Sequence, residues 1–124
     1  MSEWTADELA RVGRAQELRI ASRRADGSLR PYVTIWAVQA GGDLYVRSAH
    51  GYDNPWFQRA LHSGFGRIQA GGVERDVAFE APEPAARARV TAAYHAKYDR
   101  YGPAIVGTVV SAEAERATLR LGPR

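Results

Sequence analysis

The chain has 124 residues, 45% of them apolar and 25% charged, with a formal net charge of +3. That length fits one domain, residues 1–124, able to bury a core without staples, and the absence of cysteine excludes disulfides, thiol nucleophiles and cysteine metal sites. The mild positive charge admits an anionic ligand. Its arginines are interspersed with aspartates instead of forming the dense stripe of a nucleic-acid binder, so no nucleic-acid partner is expected.

The opening "SEWTADELARVG" predicts a short helix. Thr5 suits its N-cap, Asp7 and Glu8 its first turn and Gly13 its end. Trp4, Leu9 and Val12 could share its apolar side. The acidic, amphipathic start is unlike a signal peptide, and no apolar run reaches the length of a membrane span. A cytoplasmic protein without a membrane partner is the expectation.

"ELRIASRR" alternates as a strand does. Asp26-Gly27 supplies a turn, and "PYVTIWAVQA" follows as one strand, apolar on both faces. Gly41-Gly42-Asp43 turns the chain into "DLYVRSA", which completes an antiparallel meander of three strands. "DNPWFQRALHSG" changes to helical period, with Pro55 at the first helical position, Asp53 or Asn54 as cap and Gly64 as stop. "FGRIQAGG" and "VERDVAFEA" form a second hairpin at Gly71-Gly72. "APEPAARARVTAAYHAKYDRYG" reads as a longer helix between Pro84 and Gly102. "PAIVGTVVS" fits either an apolar loop or a short strand, and "ERATLRLGPR" closes as a strand. The order α-β-β-β-α-β-β-α-β describes a mainly β chain with helices (α+β), either a small antiparallel barrel or a sheet with helices packed against it.

His50, His62 and His95 fall on three different elements with no ligand spacing, so no metal site is expected. Neither a nucleophile elbow nor a phosphate loop is present. The arginines carry more. Arg23 and Arg24 end the first strand, Arg30 begins the second and Arg47 sits in the third. If these strands are neighbours, Arg23 or Arg24 and Arg47 approach one end of the sheet, beside the helix start of "SAHGYDNPW". There Ser48, the Gly51 backbone and Asn54 could add donors to an anion site. Solvated arginines paired with Asp26, Asp43 and Asp53 are the plainer alternative. Val90, Tyr94, Lys97, Tyr98 and Tyr101 follow one helix face, fit either to cover a planar ring or to pack on the sheet.

The stretch "RRADGSLRPYVTIWAVQAGGDLYVRSAHGYDNPWFQRALHSGFGRIQAGGVERDVAFE" resembles the short bacterial family catalogued as domain of unknown function family 2255, most closely in "ASRRADG", "LYVRS" and "NPW". More distantly, the order of segments is similar to the deazaflavin-dependent nitroreductase family, a branch of the flavin-binding split barrels related to pyridoxamine-phosphate oxidase. "SRRADGSLR" stands for that family's opening arginine turn, "VRSAHGYDNPWFQRAL" for its small-residue loop and helix, and "AAYHAKYDRY" for its tyrosine helix. The resemblance implies a small antiparallel split β-barrel that binds a deazaflavin coenzyme or FMN and transfers hydride to a small organic acceptor. It places Arg23, Arg24 and Arg30 near the cofactor's phosphate or tail, and Arg47 counts with them among the cofactor-binding residues. Ser48, Ala49, His50 and Gly51 come against its ring with backbone donors, Trp56 packs the helix beside it, and Tyr94, Tyr98 and Tyr101 lie on the substrate side. Asp26 departs from the family turn. The alternative is therefore a split barrel with no cofactor, acting as a small-ligand carrier or a homodimer.

Overall fold

The computed structural model describes residues 3–124 of the chain. Its elements are α1 (Ala6–Arg14), β1 (Leu18–Ser22), β2 (Val33–Ile35), β3 (Ala37–Ala40), β4 (Asp43–Arg47), α2 (Pro55–Ser63), β5 (Phe65–Ala70), β6 (Val73–Glu80), α3 (Ala86–Tyr98), a 3-10 turn (Asp99–Tyr101), α4 (Pro103–Val110), α5 (Ala112–Arg116) and β7 (Thr118–Pro123). Helix α1 starts as the sequence predicts. The Thr5 hydroxyl accepts from the Glu8 N–H while the Glu8 carboxylate accepts from the Thr5 N–H, a closed capping box. Gly13 lies inside the helix, which ends at Ala15.

The strand predicted over "PYVTIWAVQA" is broken at Trp36. Its halves, β2 and β3, form the two opposite edges of one seven-stranded sheet ordered β2-β1-β5-β6-β7-β4-β3. Every neighbouring pair is antiparallel. Because one continuous segment supplies both edges, the sheet is curled into a nearly closed barrel. Gly66 marks how tightly it closes: a Cβ there would lie 2.1 Å from the Ala21 carbonyl oxygen and 2.7 Å from the Phe79 ring.

Burial on both faces explains why these strands read as apolar throughout. Leu44 and Val46 of β4 point into the barrel with Leu18, Ile20, Ile68 and Leu121. Tyr45, on the opposite face, joins Val38, Val90, Tyr94 and Tyr98 in a second core between β3, β4 and α3. This alternation is the period of two that a pleated strand imposes.

The segment "PAIVGTVVS" is neither loop nor strand. Pro103 opens it as helix α4, which buries Val106 and Val109 in the second core. Pro at the first helical position costs no hydrogen bond, and the apolar core offered by α3 outweighs the β preference of its valines. Helix α5 follows, capped by the Ser111 hydroxyl on the Ala114 N–H.

The break at Trp36 exposes backbone groups that no ladder can satisfy, and α3 satisfies them. The Tyr94 hydroxyl donates to the Trp36 carbonyl at 3.3 Å and the Lys97 ammonium to the Ala37 carbonyl at 2.7 Å. The Ala37 N–H donates to the Tyr98 hydroxyl at 3.4 Å, and that hydroxyl donates to the Gln16 carbonyl at 2.8 Å. The Tyr98 ring stacks on Trp36 with centroids 3.9 Å apart and planes 3° off parallel. Burial lowers the Lys97 ammonium to about 8 and pushes the Tyr98 phenol up to about 12.

Candidate functional site

Two cavities open beside the broken strand. The larger, about 660 Å³, lies among the turn after β1, the end of α2 and the chain's last residue; Arg23, Arg24, Arg30, Arg59, His62 and Arg124 line it. The smaller, about 310 Å³, has apolar walls from Val33, Ile35, Trp36, Trp56, Ile105 and Val109, with Arg47, Ala49, Asn54 and Thr108 adding small or polar groups. A narrow neck of about 10 Å³ lies between them: Arg30 and Arg59 border it and the basic cleft, Val33 and Trp56 border it and the apolar cavity. Both larger spaces are of the size that small-molecule sites take.

In the basic cleft the residues differ in how far they are already engaged. Arg23 donates to the Gly27 carbonyl at 2.7 Å and pairs with Asp76 at 3.1 Å. Asp76 also takes Arg67 at 2.8 Å, and the Arg67 and Arg23 guanidiniums hold its carboxyl below the usual range. Arg24 donates to the Leu29 carbonyl at 3.0 Å. Asp26, expected near the anion, is turned onto its own turn instead: its carboxylate accepts from the Ser28 N–H at 2.9 Å and the Ser28 hydroxyl at 2.6 Å, which lowers its pKa. Among the described residues, Arg30 and Arg59 have no carboxylate partner.

The apolar cavity contains one buried charge. Arg47, 2% exposed, donates to the Thr118 hydroxyl at 2.9 Å, the Val109 carbonyl at 3.1 Å and the Arg87 carbonyl at 2.9 Å. Its guanidinium lies 5.6 Å from the Tyr94 ring centroid. Burial pushes its pKa down, and no carboxylate pairs with it among the described residues. The expected meeting of Arg47 with Arg23 or Arg24 does not occur. Arg47 projects from the outer face of β4 toward α3 and α4, whereas Arg23 and Arg24 belong to the cleft beyond the neck.

The loop after β4 is largely consumed by its own bonds. Ser48 is fully buried; its N–H donates to the Ala117 carbonyl at 3.1 Å and its hydroxyl to the Gly51 carbonyl at 2.5 Å. The His50 N–H donates to the Thr108 carbonyl at 3.2 Å, and the Gly51 N–H to the Ser48 carbonyl at 3.0 Å. His50, at φ 66°, occupies the left-handed region that favours glycine, with its ring exposed. Gly51, at φ 99°, packs on Glu113 so closely that a Cβ would meet the Glu113 side chain at 3.1 Å. Ala49 alone of these four residues lines the apolar cavity.

The sequence-predicted residues therefore divide. Arg47, Ala49 and Trp56 converge on the apolar cavity, and Arg23, Arg24 and Arg30 on the basic cleft. Tyr94 and Tyr98 are fully buried behind Trp36, and half-buried Tyr101 lies with its ring centroid 5.4 Å from that of Trp36. Sequence reasoning missed Arg59 and His62, although their i, i+3 spacing on α2 puts them on one helix face. It also missed Ile105, Thr108 and Val109, whose i, i+3, i+4 spacing is visible only once α4 is known to be a helix. Among the described residues no cluster of His, Asp or Glu could hold a metal ion, and no helix is long and apolar enough to cross a membrane.

The fold recurs in solved structures. HutZ, the heme storage protein of Vibrio cholerae, superposes with a TM-score of 0.65 at 14% identity, covering 99% of this chain and 92% of that one. A Listeria innocua protein assigned as a pyridoxamine 5'-phosphate oxidase gives 0.60 at 12% identity, covering 95% and 91%. An F420 reductase gives 0.56 at 14% identity, covering 93% and 91%. At these identities the likeness establishes a split barrel of the pyridoxamine-phosphate-oxidase type. No curated protein sequence matches the chain. The model of one family, described as "Uncharacterized protein conserved in bacteria (DUF2255)", matches residues 8–121, and the chain belongs to that family.

Proposed function

We propose that this split barrel binds a flavin or deazaflavin, with the ring in the apolar cavity and the phosphate at the basic cleft, and serves hydride transfer to a small organic acceptor. The observation that carries this reading is the trough itself: an apolar cavity walled by Trp36 and Trp56 that meets, across one neck, a cleft lined by arginines. A ring-bearing anion has that division of character. The similarity to an F420 reductase and to a pyridoxamine 5'-phosphate oxidase supports the choice of ring. The bound cofactor would supply the redox chemistry, which fits a chain with no acid–base pair at the site. Trp56 and Val33 would fix the ring's approach, Arg47 would present positive charge at its edge, and Ile105 and Val109 would exclude water from it. A porphyrin, suggested by the likeness to HutZ, fits less well, because among the described residues no histidine lines the apolar cavity to reach an iron from that side.

Titration of the purified protein with FMN and with a deazaflavin coenzyme, followed by tryptophan fluorescence, tests the reading. Saturable quenching that weakens as salt screens the arginines is expected. Quenching by neither compound would sink it.

The occupied N–H groups of Ser48, His50 and Gly51 favour a second reading, a cofactor-free carrier of another small ligand, alone or as a homodimer. On that reading Arg23→Ala and Arg47→Ala leave ligand affinity unchanged.

A further inference from the structure

We infer that the basic cleft binds a ligand with more than one anionic group, a polyphosphate or an equivalent chain of anions, clamped at the neck by Arg30 and Arg59. This rests on the cleft alone and not on which ring, if any, fills the apolar cavity.

Charge and engagement point the same way. Five arginines line one space of about 660 Å³, more than twice the 310 Å³ of the apolar cavity. Like charges gathered this way repel one another, a cost that a bound anion removes. Asp76, which pairs with Arg23, is shared with Arg67, so it offsets only one of those two charges. Asp26, in the turn beside Arg24, is engaged by Ser28. Arg30 and Arg59 make no side-chain hydrogen bond or ion pair among the described residues, and both border the neck. Their forked donors suit bidentate contact with a phosphate. One phosphate there leaves Arg24 and Arg124 unneutralised. Arg24 is anchored through the Leu29 carbonyl, and Arg124 lies over the Phe65 ring with its guanidinium carbon 4.2 Å from the centroid. A second or third anionic group reaching along the cleft meets both.

The test compares inorganic tripolyphosphate with orthophosphate by calorimetric titration of the full chain at matched ionic strength. Tripolyphosphate should bind at least about tenfold more tightly, since it engages charge-assisted contacts that orthophosphate cannot reach. Arg30→Ala and Arg59→Ala should each weaken tripolyphosphate by roughly tenfold, the loss of one such contact. Arg116→Ala removes the same charge from the exposed surface of α5 and should leave affinity unchanged. Arg59 is exposed, so its variant keeps the fold. Equal affinities for the two anions, or equal effects of all three substitutions, would overturn the inference and leave the cleft a solvated basic surface. Binding of tripolyphosphate by a protein that binds neither FMN nor deazaflavin would overturn the proposed function and leave this inference standing.

Discussion

Tyr98→Ala is expected to lower the unfolding free energy by about 4 kcal/mol, the range of large aromatic truncations in a core. For a domain of this size the midpoint temperature should fall on the order of 15 °C. The ring is fully buried and stacks on Trp36, its hydroxyl donates to the Gln16 carbonyl, and it accepts from the Ala37 N–H. Removing it leaves a void and orphans backbone groups at the one place where the barrel strand breaks. Tyr98→Phe keeps the ring and should cost only about 1–2 kcal/mol, the scale of a lost buried hydrogen bond. Thermal and denaturant unfolding of both variants measures the difference. A cost below about 1 kcal/mol for the alanine variant would mean that α3 does not pin the break.

Arg47 should show a different split. Its guanidinium ties β7 through Thr118, α4 through Val109 and α3 through Arg87. Arg47→Ala removes all three contacts and opens space, so a loss of about 3 kcal/mol is expected. Arg47→Met fills most of that volume and removes a buried charge that has no counter-ion. Exchanging buried ionic groups for apolar ones of similar size is often neutral, so most of the stability should return. Binding should not return, because on the proposed function the Arg47 charge meets the ligand. Unfolding curves and ligand titrations on the two variants separate the roles. Recovery of both stability and affinity in Arg47→Met would confine Arg47 to the scaffold.

The legible parts of the fold were those governed by local chemistry. The Thr5–Glu8 capping box, Pro55 opening α2 and Gly64 stopping it at φ 77° all follow from residue type and short spacing. So do the turns at Gly41-Gly42 and Gly71-Gly72, where all four glycines have positive φ. The break at Trp36 was not legible. No glycine or proline punctuates "VTIWAV", and the cause lies some sixty residues away in the tyrosines of α3. Helix α4 was hidden for a related reason: "PAIVGTVV" has a strand's composition, and its packing on the second core decides its form.

The site divides along the same line. Arg23, Arg24 and Arg30 could be gathered from one short stretch, and the structure gathers them. Arg47 belongs to the same predicted meander, but β5, β6 and β7 stand between β1 and β4 in the sheet, a matter of strand order and not of spacing. Arg59 enters only because α2 lies across the barrel mouth, which its own helical pattern does not reveal.

The most direct test of the central claim uses the three tryptophans. Trp36 and Trp56 line the apolar cavity, whereas Trp4 lines neither cavity and donates its indole N–H to the Leu121 carbonyl at 2.9 Å. In the nitrogen-15 spectrum of the indole groups, saturation with FMN or a deazaflavin coenzyme should move the Trp36 and Trp56 resonances and leave Trp4 in place. Saturable binding that leaves Trp36 and Trp56 unmoved would contradict the account, because the ring would then lie somewhere other than this cavity.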